Sequence, residues 1–211
     1  MHGHKESIAK ILLSKGAVTL NPTQPYEFTS GILSPIYCDN RILISYPDTR
    51  KEIVDSFLKI LKENNIQFDI VAGVSTSGIP WAAWIAEKLD KPMVYVRIEA
   101  KGHGKENKIE GRIEKNKTAI VVEDLISTGG SSLAVADAIK EAGLKVGCCL
   151  AIFDYEMEKA KKGFSEKGCS LFSLTDFSTL VKVAVKEKYI KQEEEKLVLD
   201  WSKNPDTWGV K

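Results

Sequence analysis

The sequence predicts an α/β protein in which helices flank a central, mainly parallel sheet, with a small subdomain at the N-terminus. One reason is that apolar, β-branched segments alternate with helical segments from residue 69 onward, a pattern typical of a parallel sheet covered on both faces. A second reason is that the first part of the chain does not follow this alternation. Ligands of such sheets bind beyond the carboxyl ends of the strands. We call this edge of the sheet the rim and expect the functional site there.

The N-terminal part combines helical and irregular segments. Helical periodicity is present around residues 5–15 and over 47–64. The segment between them is rich in proline, glycine and threonine, with a strand predicted at 35–41. The expected division is a subdomain, the hood, made of residues 1–45 and part of the C-terminus, above a core made of residues 46–180.

The alternating part contains five predicted strands. They are the apolar runs at 69–74, 92–98, 118–124, 145–155 and 170–175. Helices are predicted at 78–90 and at 131–143, where Gly143 ends the pattern, and a last amphipathic helix within 191–209. The turns after Val74, Asp124 and Tyr155 then lie together on the rim.

Composition argues against several classes of function. The net charge is +1, so no overall field favours nucleic acid or membranes. No apolar run approaches the ~20 residues that a membrane span needs, and the N-terminus lacks the apolar stretch of a signal peptide. The four cysteines show no CxxC spacing, as expected of core thiols in a reducing cytoplasm.

A long polar connection, residues 99–117, joins two predicted strands. Compact domains usually connect elements with ~4–6 residues, and longer loops tend to be functional or disordered. Lys101, His103 and Lys105 lie among glycines here, which suits a lid that closes on an anion. The alternative is a solvated hairpin.

The turn "DLISTGGSS", residues 124–132, has the composition of a phosphate site. A helix follows directly, and its first N–H groups lack partners at the positive end of the helix dipole. Gly129 and Gly130 let the backbone approach a ligand closely, and four hydroxyl groups add donors. These features predict a cradle for a dianion, although neither a Walker A loop nor the GxGxxG fingerprint is present.

Two adjacent acids, Glu123 and Asp124, precede this turn. Carboxylates would repel a bare phosphate, so they suggest sugar hydroxyls as ligands, or a hydrated Mg²⁺ nearby. The alternative is that Asp124 only caps the helix and Glu123 faces solvent. The whole string of strand, acids and hydroxyl-rich turn is more specific than either acid alone, and it predicts a sugar phosphate ligand.

Four segments resemble type I phosphoribosyltransferases, and among them the orotate phosphoribosyltransferases. The segment "VVEDLISTGGSS" resembles the motif that binds phosphoribosyl pyrophosphate (PRPP). Segments 28–41, 72–89 and 95–111 resemble the hood segment, the pyrophosphate-binding loop with its helix, and the mobile catalytic loop. The resemblance covers nearly the whole chain. It implies the type I phosphoribosyltransferase fold and transfer of ribose 5-phosphate from PRPP to orotate, with Mg²⁺, in UMP synthesis.

The same resemblance assigns roles by position. The implied catalytic residues are Lys101, Asp124 and His103. The implied PRPP-binding residues are Arg97, Lys101, His103, Glu123, Asp124, Leu125, Ile126, Ser127, Thr128, Gly129, Gly130 and Ser131. The implied orotate-binding residues are Ser127, Ile36, Tyr37 and Tyr155. Mg²⁺ would be carried by PRPP near the two acids, without direct protein ligands, and two subunits of a cytoplasmic homodimer would share their active sites.

Some positions depart from the pattern of this family. Basic residues common in relatives are replaced by Thr29, Leu33, Ser77 and Ile98, and Tyr155 stands where an arginine is common. These changes bear on the affinity for orotate and pyrophosphate and leave the PRPP motif intact.

Two alternatives remain open. A purine-type phosphoribosyltransferase would use the same turn, although "SGILSPIYCDNR" favours orotate. A PRPP-sensing regulator would share the fold without catalysis. Such regulators commonly add a DNA-binding module or a basic surface, and this chain has neither spare length nor excess charge.

Overall fold

The computed structural model describes residues 2–27, 31–97 and 108–208. The predictions for Thr29, Ile98, Lys101 and His103 therefore lie outside the described residues. Every helix within the described ranges is too short or too polar to cross a bilayer.

The N-terminal part contains one helix and two small antiparallel strand pairs. Its elements are α1 (His2–Ser14), β1 (Val18–Leu20), β2 (Tyr26–Glu27), β3 (Leu33–Ser34) and β4 (Ile36–Cys38). Strand β1 pairs with β4, and β2 pairs with β3. The strand predicted at 35–41 is too long, because a 3-10 helix starts at Asn40. Asp39 caps this helix by accepting a hydrogen bond from the backbone N–H of Arg41.

A six-stranded sheet forms the centre of the fold. Its strands are β5 (Ile70–Val74), β6 (Met93–Val96), β7 (Ile109–Glu110), β8 (Thr118–Ile126), β9 (Lys145–Asp154) and β10 (Ser170–Asp176). Their spatial order is β10-β9-β8-β5-β6-β7. All neighbours are parallel except β6 and β7. The predicted mainly parallel sheet is confirmed, and β7 is an addition that the sequence pattern did not predict.

Helices cover both faces of this sheet. They are α2 (Pro47–Glu63), α3 (Gly78–Leu89), α4 (Gly130–Glu141), α5 (Glu158–Glu166), α6 (Phe177–Lys186) and α7 (Glu195–Trp201). Successive residues of β8 alternate between the two buried clusters: Ile120 and Val122 belong to one, and Ala119 and Val121 to the other. This alternation follows from the two-residue period of a strand, and it explains why the central strand is apolar on both sides.

Helix α1 packs against α6 and β10. It buries Ile8 and Leu12 completely in the same cluster as side chains of α2, α3 and α6. This helix lies in the range predicted for the hood, yet its buried face is part of the main core. The division into hood and core stays a prediction.

Strand β8 extends two residues beyond its predicted end. The pairing with β9 continues through Leu125 and Ile126, and the carbonyl of Ile126 accepts a hydrogen bond from the N–H of Tyr155 at 2.9 Å. The two acids therefore lie inside the strand rather than at its end, and the turn begins at Ser127.

Candidate active site

Glu123 and Asp124 form a buried acid pair near the end of β8. Their exposed fractions are 6% and 9%. The backbone N–H of Asp124 donates to Oε1 of Glu123 at 3.1 Å, and the hydroxyl of Ser132 lies 3.5 Å from Oε2. The alternative in which Glu123 faces solvent is therefore wrong. Asp124 is not the cap of α4 either, because Gly129 occupies the cap position.

Burial keeps this pair from ionising fully at neutral pH. Loss of hydration, followed by the charge of Asp124, raises the pKa of Glu123 to about 9. Loss of hydration also raises the pKa of Asp124. Two carboxyl groups so close and so buried act as one unit that retains a proton. The site therefore offers both a donor and several acceptors to the hydroxyl groups of a ligand.

We expect the protein to lose stability as the pH rises from about 4.5 to about 9. The unfolded chain titrates Glu123 near 4.5, so above that pH the folded state binds more protons. One such proton gives a slope of up to about 1.4 kcal/mol per pH unit. Glu123→Gln should flatten this dependence in thermal melts, while Glu166→Gln, at an exposed position of α5, should keep the wild-type slope. Parallel profiles for wild type and Glu123→Gln would show that the pair is already ionised.

The turn from Ser127 to Gly130 presents its hydroxyl groups to solvent. Ser127, Thr128 and Ser131 are exposed, whereas Gly129 is buried. Gly129 has a φ of +77°, which favours glycine, and a Cβ there would come 3.0 Å from the ring of Phe164. The predicted phosphate-binding residues thus lie together at the start of a 12-residue helix that has no side-chain cap, and the first N–H groups of a helix are suited to bind an anion.

The loop after β5 lies beside the acid pair. A Cβ on Gly78 would come 2.2 Å from the carbonyl oxygen of Val122, the residue before Glu123. The peptide between Ser75 and Thr76 is cis, and the N–H of Ser75 donates to the carbonyl of Val96 at 3.0 Å. The glycine at position 78 therefore sets the start of α3 directly against β8, and the loop 75–77 lies on the rim next to the acids.

Asn40 connects the hood to the acid pair. Its side chain is fully buried, and its amide nitrogen donates to the backbone carbonyl of Asp124 at 2.8 Å. Its amide oxygen lies 3.5 Å from the thiol of Cys38. Sequence reasoning missed this residue, because the two partners are 84 positions apart and a single asparagine gives no local signal.

The predicted orotate side of the site lies in β4. Tyr37 is 44% exposed and Ile36 is fully buried, so Ile36 can offer only its backbone. The hydroxyl of Ser34 donates to the carbonyl of Ile36 at 2.8 Å and accepts from its N–H at 3.3 Å. The ring of Tyr26 lies 5.7 Å from that of Tyr37, between centroids.

Tyr155 lies away from the surface of the site. The residue is 4% exposed, and its ring contacts the rings of Phe153 and Trp201, with centroid distances of 5.0 and 5.4 Å. Burial raises the pKa of its hydroxyl well above the usual value. Tyr155 belongs to the buried core cluster, and its predicted role in binding orotate stays a prediction.

Arg97 follows strand β6 directly and marks the base of the long connection. Its guanidinium forms an ion pair with Glu110 of β7, and its N–H donates to the carbonyl of Lys108 at 2.8 Å. The structure thus assigns the side chain a partner in the neighbouring strand. Its predicted contact with pyrophosphate stays a prediction.

Comparisons with known proteins agree with this geometry. The family model described as "Phosphoribosyl transferase domain" matches residues 47–188. The orotate phosphoribosyltransferase of Coxiella burnetii is 54% identical over 95% of this chain and 96% of its own length. That of Enterococcus faecalis is 48% identical over 97% of each chain.

Solved structures give the same assignment. Orotate phosphoribosyltransferase from Aeropyrum pernix has a TM-score of 0.71 and 29% identity, covering 83% of this chain and 97% of that chain. The UMP synthase of Leishmania donovani has a TM-score of 0.80 and 26% identity, covering 95% of this chain and 42% of the longer one. Fold, sequence identity and coverage agree, and the chain belongs to the orotate phosphoribosyltransferase family within the type I phosphoribosyltransferases.

Proposed function

We propose that the protein transfers the ribose 5-phosphate group from PRPP to orotate, giving orotidine 5′-monophosphate and pyrophosphate in UMP synthesis. The observation that carries the proposal is the buried pair Glu123 and Asp124, followed directly by an exposed, hydroxyl-rich turn into α4. Relatives that are 48% and 54% identical over nearly the whole chain bear the name of this activity.

The acid pair has the charge that is needed to stabilise the sugar as it becomes positive during the reaction. When the bond between ribose C1 and pyrophosphate breaks, positive charge grows on the sugar and negative charge on the leaving group. Glu123 and Asp124 lie where they can bind the ribose hydroxyls, and hydrogen bonds from these hydroxyls favour the ionised pair. The ionised carboxylates then ease the charge on the sugar. No covalent nucleophile is required.

The 5′-phosphate has its own binding surface. The first N–H groups of α4 and the exposed hydroxyls of Ser127, Thr128 and Ser131 face the same turn. Because this surface and the acid pair belong to one continuous strand, turn and helix, phosphate binding fixes where the ribose lies relative to Asp124. Fixing the reacting group in this way lowers the entropic part of the barrier.

Mg²⁺ fits the donor set as a companion of PRPP. This ion usually binds through one or two carboxylates together with substrate phosphates, and it keeps several waters. In this proposal PRPP carries the ion near Glu123 and Asp124 without direct protein ligands, and the waters of the ion can bond to these carboxyl groups. When bound, Mg²⁺ would supply positive charge near the pyrophosphate.

We also propose a cytoplasmic homodimer in which Lys101 and His103 of one subunit act in the site of the other. The connection that carries them leaves β6 and returns in β7, which lies at one edge of the sheet. A loop based at a sheet edge is well placed to reach a second copy, and a two-fold interface makes such an exchange reciprocal. The four cysteines, all free, support a reducing compartment.

Substrate specificity tests the proposed function. Orotate should be consumed in the presence of Mg²⁺ and PRPP, followed by its ultraviolet absorbance, whereas adenine, hypoxanthine and uracil should not react. Turnover of one of these bases without turnover of orotate would assign a different phosphoribosyltransferase. Binding of PRPP without turnover of any base would indicate a regulator.

A further inference from the structure

The C-terminal helix α7 reaches across the fold to the hood. Its last residue, Trp201, is fully buried. The indole N–H of Trp201 donates to the backbone carbonyl of Leu33 in β3 at 2.9 Å, although the two residues are 168 positions apart. A side chain of α7 therefore holds the backbone just before the predicted orotate-binding strand β4.

The same indole ring contacts the rim of the sheet. Its centroid lies 5.4 Å from that of Tyr155, which follows β9, and 5.7 Å from that of Phe177, which follows β10. Trp201 thus contacts three parts of the fold: strand β3 of the hood, the residue after β9 and the residue after β10. Its ring fixes the helix on the rim, and its N–H fixes β3 relative to that ring.

The connection from Leu33 to β4 is short and internally bonded. Ser34 is fully buried, and its hydroxyl bonds to both the carbonyl and the N–H of Ile36. A displacement at Leu33 is therefore passed on to Ile36 and Tyr37 rather than absorbed between them. The turn from Ser127 to Gly130, which is predicted to bind PRPP, lies instead between β8 and α4, and its Gly129 packs against Phe164 of α5.

We propose that Trp201 is a positioning residue for orotate, whose indole N–H sets the place of segment 33–38 above the rim. The inference rests on the proposed function, in which the backbone of Ile36 and Tyr37 lies against the orotate ring. Because the bond acts on this segment, its loss affects orotate more than PRPP.

Trp201→Phe tests this role, because phenylalanine keeps an aromatic ring in the cluster and removes the N–H donor. The net contribution of a typical hydrogen bond, converted into an equilibrium constant, corresponds to a change of about fivefold. We expect the KM for orotate to rise about fivefold, with the KM for PRPP and kcat within about twofold of wild type. Steady-state kinetics with each substrate varied in turn measures both constants.

The chain offers a matched control in the same region. The indole N–H of Trp208 also donates to a backbone carbonyl, that of Leu197, at 2.9 Å. Trp208→Phe removes the same type of bond without touching Leu33, and both KM values should stay within about twofold of wild type. Val198→Ala loosens the buried face of α7 while the indole remains. If Trp201→Phe does not fold, Val198→Ala should still raise the KM for orotate selectively, by about twofold to threefold.

The proposal is decided by whether the KM for orotate changes more than the KM for PRPP. Equal rises for both substrates, or an unchanged KM for orotate in folded Trp201→Phe, would reduce Trp201 to a packing residue. A selective rise that Trp208→Phe also produces would overturn the assignment to the Leu33 bond. If the wild-type protein did not use orotate at all, the proposed function itself would be wrong, and this result is distinct from the others.

Discussion

Asp124→Asn should lower kcat/KM by about 10²–10³, the usual cost of losing one well-placed electrostatic group, while the fold stays intact. The amide can still bond to a ribose hydroxyl, but it cannot ease the positive charge of the transition state. Stability should be equal to wild type or higher, because a buried carboxyl group with a raised pKa is replaced by a neutral one. The bond from Asn40 goes to the backbone of Asp124, so it survives the substitution.

The same type of substitution at a surface position controls for the effect of replacing an aspartate by an asparagine as such. Asp137→Asn removes the half-exposed partner of Lys167 on α4, and surface ion pairs of this kind contribute about 0–1 kcal/mol. Its kcat/KM should stay within about twofold of wild type. Near-wild-type kcat/KM in folded Asp124→Asn would make Asp124 a structural residue and remove its assigned role.

Lys101→Ala should lower kcat by about 10² or more, because a cation is lost where negative charge grows on the departing pyrophosphate. PRPP binding should change less, since the interaction strengthens as the bond breaks. Lys108→Ala, at an exposed position that follows the same loop, is the matched control and should remain active. Wild-type kcat in Lys101→Ala would exclude a catalytic role for this lysine.

Subunit mixing tests whether the sites are shared. Lys101→Ala chains mixed with Asp124→Asn chains should regain activity, because one site of each mixed dimer combines an intact Asp124 with an intact Lys101 from its neighbour. Activity should approach half the wild-type value per mixed dimer, with the dimers isolated by two different tags.

The reciprocal mixture provides the control. When the double variant Lys101→Ala/Asp124→Asn is mixed with wild type, the shared-site arrangement leaves no complete site in a mixed dimer. A loop acting in its own subunit would leave one complete site. Active dimers from the second mixture and inactive ones from the first would therefore overturn the sharing.

The strand and turn that carry the PRPP motif were predictable because their signals are local. The apolar run of β8 and the helical period of α4 gave the right order of elements. The end of β8 was misplaced by two residues, because Glu123 and Asp124 suggested a boundary. The strand instead buries both acids and continues its pairing with β9, at the cost of raised pKa values.

Helices α5 and α6 were not predicted, for different reasons. In α5 only Ala160 and Phe164 are buried, which leaves too weak an apolar period. Helix α6 is rich in β-branched residues, whose intrinsic preference is for strands. Its start is fixed by the side chain of Asp176, which accepts from the N–H of Thr179 at 2.9 Å, and by packing against α1. Tertiary contacts of this kind have no signature in a local window.

The site residues also differ in whether local sequence or tertiary contacts determine their positions. The turn residues could be proposed from the sequence because neighbours in the sequence are also neighbours in the turn. Asn40 was missed and the burial of the Tyr155 ring was not predicted, because both depend on segments far apart in the chain: β8 for the first, and α6 and α7 for the second. The direction of a side chain at the end of a strand is decided by what packs on it.

The close contact between Gly78 and Val122 has a consequence for how such an enzyme can be altered. A Cβ at position 78 would collide with the backbone of β8, so a side chain there would push α3 away from the strand that carries the acid pair. The segment 33–40, which is predicted to face the base, has further contacts through side chains that can be exchanged: Asn40 bonds to the backbone of Asp124, and Trp201 bonds to the backbone of Leu33. Laboratory evolution toward a different acceptor base should therefore accumulate changes in the hood and in α7, while position 78 remains glycine in every active variant.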